Sequence, residues 1–141
     1  MMLSDRDIRR KMSEGLLIKP FNEDSLQPAS YDLRAGESTV IQPKAFALVG
    51  SLERVEMPLD VASILKVRSS YARKGLILGG GFIDPGFRGN LTLCLSNMSD
   101  KEIEISYGER IVQMLLFRVT SPNSMYKGKY QDSNGVVKAK L

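Results

Sequence analysis

Between Ser30 and Arg118 the chain keeps no single periodicity for long. Short stretches rich in Val, Ile, Leu and Thr alternate with Gly, Pro, Asn and Asp. This punctuation predicts strands at 30–34, 38–42, 45–49, 51–57, 62–67, 76–78, 81–84, 90–97, 102–106 and 110–118. Many short strands with regular turn signals close into a sandwich, a barrel or a jelly roll. The clearest is 90–97: Leu91, Leu93 and Leu95 face one way, and Thr92, Cys94 and Ser96 the other. Ahead of the strands, Ser4 and Asp7 read as an N-cap pair. Ile8, Met12 and Leu16 follow at helical spacing, and Gly15 can end the run, so a helix is expected at 5–14. Its basic face reads as solvated. The 141 residues suit one domain, 1–141. The polar, Gly/Lys-rich tail, about 121–141, is expected to be mobile.

Absences remove whole classes of chemistry. There is no His, which excludes a Ser-His-Asp triad and any imidazole metal ligand. The single Cys, Cys94, allows no internal disulfide and no cysteine zinc cluster. The longest apolar run, Ala45 to Val49, is far too short for a bilayer, and the N-terminus has no apolar signal region. No membrane association is expected, and a cytoplasmic location is. The net charge is +4, from 20 basic and 16 acidic residues. That mild excess suits a small anionic ligand, and without a basic-aromatic pattern no nucleic acid partner is expected.

Four segments could carry chemistry. Residues 79–89 read GGGFIDPGFRG. The glycines let backbone approach a ligand, and Asp84-Pro85-Gly86 is a tight turn. Asp84 either serves its own turn or acts as a base on a water. Residues 68–73 read RSSYAR, where Ser69 or Ser70 can cap a short helix and Arg68 adds an anion-binding fork. In GERIVQMLLF, Gln113 sits among apolar neighbours and must satisfy backbone or bind a ligand. In PASYDLR, an inward Asp32 would need an arginine partner, and a structural ion pair is the simplest reading.

The ordered set PASYDLR, VRSSYARKG, GFIDPGFRG, GERIVQMLLF and YKGKYQ resembles the dUTPase and dCTP deaminase superfamily. The opening MLSDRDI is similar to the dCTP deaminase branch. The resemblance implies an all-β, distorted jelly-roll-like barrel and a homotrimer with active sites between subunits. It implies a deoxynucleoside triphosphate substrate, dUTP or dCTP, carried with Mg²⁺. By position, Asp84 falls on the residue that orients the attacking water. Arg68, Ser69, Ser70 and Gln113 fall on phosphate-contacting positions. Phe87 falls on the aromatic that packs against deoxyribose, and backbone near Gly80 and Phe82 on the base-reading hairpin. Tyr126, Lys129, Tyr130 and Gln131 match the tail that closes over the triphosphate. No direct metal ligand is implied, with Asp32 reaching Mg²⁺ through water.

The two branches part at one position. Deaminases place a Glu, which serves proton transfers at the cytosine ring, where this chain has Cys94. A thiol with an ordinary pKa of about 8.5 has no obvious way to replace it. The resemblance therefore implies a dUTPase on a deaminase-like scaffold. The alternatives are a dCTP deaminase or bifunctional enzyme, and a non-catalytic deoxynucleotide-binding module. Two departures from typical dUTPases stand out: Phe87 replaces a Tyr, and the Phe-containing Gly-rich arm is missing.

Overall fold

A computed structural model describes residues 1–141. Helix α1 (Asp5–Met12) starts at a capping box. Ser4 Oγ accepts from Asp7 N at 3.2 Å, and the Asp7 carboxylate accepts from Ser4 N at 3.3 Å. The pair satisfies donors that a helix start leaves free. The helix stops at Met12 rather than 14, because Ser13 caps it and Gly15, at φ 118°, turns the chain away.

Next come β1 (Leu17–Lys19), a 3₁₀ turn (Glu23–Ser25), β2 (Leu26–Gln27), β3 (Ser30–Arg34) and β4 (Thr39–Ile41). The long β5 (Phe46–Glu56), β6 (Val61–Val67), the one-turn α2 (Ser69–Ala72), β7 (Leu76–Gly79) and β8 (Phe82–Ile83) follow. β9 (Arg88–Asn97), β10 (Ile103–Ile105) and β11 (Arg110–Arg118) complete the strands. One sheet runs β1-β5-β9-β7, a second β2-β3-β11-β6-β8, and β10 pairs with β4 alone. All these pairings are antiparallel. Side chains alternate across each strand, so the sheets share a core that includes Tyr31, Leu33, Val49, Leu93, Met114 and Leu116. No helix is long and apolar enough to cross a membrane.

The expected break between 45–49 and 51–57 is not a turn. Gly50 lies at a register shift inside β5, between Gly50 and Arg54 against β9. The shift turns Ser51 and Glu53 inward. Ser51 Oγ donates to Glu53 O at 2.6 Å and accepts from Leu91 N at 2.9 Å. The fully buried Glu53 carboxylate accepts from Tyr31 OH at 3.1 Å, Arg34 N at 3.0 Å and Arg34 Nε at 2.8 Å. A second shift, between Arg110 and Val112, buries both Ile111 and Val112.

Candidate active site

The hairpin between β8 and β9 carries Asp84 to the edge of a cavity of about 700 Å³. The turn closes through backbone, Phe87 N donating to Asp84 O at 3.2 Å. Met57 braces it: Gly86 N donates to Met57 O at 3.1 Å and Met57 N to Phe87 O at 2.8 Å. The exposed Asp84 carboxylate makes no hydrogen bond or ion pair within the chain. It is the only carboxylate lining the cavity, and Lys138 is the only cation. The walls are mostly apolar and include Phe82, Phe87 and Tyr126. Phe87 and Tyr126 meet edge to face, with ring centroids 5.5 Å apart. Cys94 also lines the cavity, on the outward face of β9 opposite Leu48 of β5.

The segment expected to be mobile is laid along β9. Asp132 N donates to Arg88 O at 2.8 Å, and Asn90 N to Ser133 O at 2.9 Å. Arg88 Nε and Nη2 each lie 3.0 Å from the Asp132 carboxylate. Gln131 is committed to the hairpin: its Oε1 accepts from Arg88 N at 2.7 Å and its Nε2 donates to Gly86 O at 2.9 Å. Gly89 makes the close approach possible, since a Cβ there would lie 2.8 Å from Ser133 backbone atoms. Tyr126 and Tyr130 line the cavity, whereas Lys129 and Gln131 do not. Asn90, Thr92, Ser133 and Lys138 line it without having been singled out from sequence. The one signal for them in the sequence is Gly89, which by itself reads as part of a turn motif.

The RSSYAR segment lies elsewhere. Arg68 itself is the N-cap of α2, with no side-chain capping bond, so Ser69 and Ser70 do not cap as expected. Both serines are exposed. Arg68, Ser70, Tyr71, Lys74, Glu109 and Arg110 line a depression of about 290 Å³ that shares no lining residue with the Asp84 cavity. Asp32, almost fully buried, lies 3.2 Å from Arg68 Nε and 3.7 Å from Arg110 Nη1. Burial pushes its carboxyl above the usual carboxylate range, and the two guanidinium groups oppose the rise. Asp32 Oδ1 has no hydrogen-bond partner. Gln113, paired across the sheet with Asp32 and Lys66, is half-buried, and its amide makes no hydrogen bond within the chain. A Cβ at Gly80 would meet nothing within 4 Å.

Comparisons with known proteins give this geometry a family. Residues 34–119 match the model of the dCTP deaminase-like family. A dCTP deaminase of Pyrococcus abyssi is 42% identical over 156 aligned positions, covering 99% of this chain and 99% of the relative. One from Thermococcus kodakarensis is 44% identical, covering 99% and 98%. A dUMP-forming dCTP deaminase of Mycolicibacterium vanbaalenii is 35% identical, covering 96% and 93%. Among solved structures, the Staphylococcus bacteriophage 80alpha dUTPase with dUPNHPP superposes with a TM-score of 0.63 at 22% identity, covering 81% of this chain and 88% of that one. A mutant dUTPase from phage phi11 of S. aureus, described as coordinating a structural Mg(II) ion, gives 0.62 at 19% identity, covering 81% and 96%. The structural likeness fixes the jelly-roll-like dUTPase fold. The near full-length sequence matches go further, and by them the chain belongs to the dCTP deaminase-like family.

Proposed function

We propose that the chain is a dUTP diphosphatase built on a dCTP deaminase-like scaffold, converting dUTP and water to dUMP and pyrophosphate. The observation that carries this is the lining of the Asp84 cavity. Asp84 is its only carboxylate, and Cys94 lines it at the position where, by the sequence resemblance, the deaminase branch has the Glu that serves proton transfers at the ring. One unpartnered carboxylate suffices to orient a water and accept its proton as the water oxygen attacks the α-phosphorus. The bond to the bridging oxygen breaks and pyrophosphate leaves. Nothing else lining the cavity replaces the missing acid. Phe87, against Tyr126, offers a flat surface to deoxyribose.

The triphosphate calls for more positive charge than the single Lys138 of the Asp84 cavity provides. Arg68 supplies positive charge from the separate depression, which Ser70 also lines, and Ser69 and Gln113, outside that lining, complete the proposed phosphate contacts. A homotrimer that sets one subunit's depression against its neighbour's cavity joins the two halves. Mg²⁺ fits this arrangement as an ion held by the substrate phosphates, where it would neutralise their charge. The orphaned Asp32 Oδ1 is a suitable acceptor for a metal-bound water.

The names of the relatives favour a competing reading, deamination of dCTP. Incubation with Mg²⁺ and either dUTP or dCTP, with products resolved by chromatography, separates the two. The expected result is dUMP from dUTP, no uracil nucleotide from dCTP, and loss of turnover by at least about 100-fold in Asp84→Asn. Uracil products from dCTP overturn the proposal. Undiminished hydrolysis in Asp84→Asn overturns the role of Asp84.

A further inference from the structure

The C-terminal stretch past Ser133 reads NGVVKAKL and lies outside residues 34–119, which the family model matches, yet it forms one side of the Asp84 cavity. Val137, Lys138 and Ala139 all line it. What holds the stretch there comes from the outward face of β9. Asn90 Oδ1 accepts from Gly135 N at 3.0 Å, while its Nδ2 donates to Glu53 O at 3.1 Å and to Ser51 O at 3.3 Å. Asn90 thus ties the tail to the irregular segment of β5. Thr92 Oγ1 accepts from Val137 N at 2.9 Å. Tyr130 OH accepts from Lys140 N at 3.1 Å and closes the far end. Side chains of β9 therefore replace the backbone partners that an added strand would supply. With the tail in place the cavity is still about 700 Å³, so the tail forms a wall and does not fill the space.

We propose that Asn90 and Thr92 are positioning residues that latch residues 133–139 as the outer wall of the nucleotide cavity, so that Lys138 meets the substrate. The substrate in question is the one proposed above, a deoxynucleoside triphosphate, and this inference rests on that reading. Lys138 is the only cation lining the cavity that holds Asp84, and a polyanion entering it needs a counter-charge there. The tail cation expected from sequence does not serve: Lys129 is absent from the lining, and its carbonyl accepts from Lys140 Nζ at 3.1 Å.

The test uses the full chain with Thr92→Val, Thr92→Ser and Lys138→Ala. Valine keeps the shape of threonine and removes the acceptor, whereas serine keeps the acceptor. Amide hydrogen exchange at Val137 in the free protein should accelerate about fivefold in Thr92→Val, the effect of one lost hydrogen bond, and return to the wild-type rate in Thr92→Ser. Titration with a non-hydrolysable dUTP analogue should give about five- to tenfold weaker binding for Thr92→Val and Lys138→Ala, again with recovery in Thr92→Ser. Unchanged exchange at Val137 in Thr92→Val overturns the latch. Faster exchange with unaltered analogue binding overturns the link between the strap and the substrate. A wild-type chain that binds no analogue overturns the proposed function and that link together, while the exchange rates still decide the latch.

Discussion

At the scale of single residues, the buried polar group that matters most to the fold is Glu53. It is wholly enclosed, and its oxygens are taken up by Tyr31 and Arg34. A buried carboxylate is tolerable only when paired in this way. Tyr31 OH also accepts from Asn22 N at 3.1 Å, which ties the 3₁₀ turn to the same cluster. Burial, with the Glu53 charge beside it, pushes the Tyr31 phenol up to about 12 from 10.0. A raised folded pKa means a contribution that is complete below the unfolded value and lost as pH climbs toward the folded one. Thermal unfolding followed against pH should therefore show wild-type stability falling between pH 10 and about 12, by on the order of 2 kcal/mol. Tyr31→Phe should be less stable at neutral pH by about 1–2 kcal/mol, since Glu53 and Asn22 N lose a partner, and should lack that alkaline fall. An equal fall in Tyr31→Phe would assign the loss to other groups. None of this is legible in PASYDLR, where Tyr31 is merely the neighbour of Asp32. The partner, Glu53, arrives from a strand irregularity that no local pattern announces.

At the scale of elements, legibility follows periodicity. β9 reads correctly because Leu91, Leu93 and Leu95 alternate with polar residues through its length. β5 reads as two strands, 45–49 and 51–57, because Gly50 looks like a break, while the pairing with β9 carries through with a shift. β1 and β2 escape the sequence pattern, being three and two residues long and supported only by partner strands. The tail illustrates the opposite limit. Its composition gives no core and no period, so sequence assigns it mobility, yet Arg88 and Gly89 prepare a seat for it. The Arg88 guanidinium, hydrogen-bonded to Asp132, holds that carboxyl below its usual 3.8, with help from Arg54. A lowered folded pKa means an attachment present above the ordinary value and lost as pH falls below it. Amide shifts of Ser133 and Gly135 should therefore be constant near neutrality and move toward unstructured values below about pH 4. In Asp132→Asn they should show no such acid step. A step that persists in that variant would place the titrating group outside the strap.

At the scale of the whole molecule, the chain divides its candidate chemistry between two recesses. The Asp84 cavity is apolar and holds one acid and one cation; the other depression holds Arg68, Lys74 and Arg110. Sequence motifs in linear order could not show this division, because order along the chain says nothing about which face each motif reaches. RSSYAR and GFIDPGFRG read as neighbours, separated by β7, but α2 and the β8–β9 hairpin line different recesses. In the proposed function a triphosphate draws on both recesses, and contact between copies in a closed cyclic trimer would join them in three equivalent places. The consequence is distinctive. Asp84→Asn and Arg68→Ala should each abolish dUTP hydrolysis in a pure trimer. In trimers co-expressed from equal amounts of both variants, a site is intact only when its acid comes from one variant and its arginine from the other. Random assembly gives that arrangement in about one site in four, so activity should return to roughly a quarter of the wild-type level. If each site drew both residues from one subunit, no mixed trimer would contain an intact site and the mixture would stay inactive. Recovery therefore measures directly whether the two recesses are joined across the subunit boundary, and the mass of the wild-type particle by sedimentation checks that the assembly is the trimer on which the arithmetic depends.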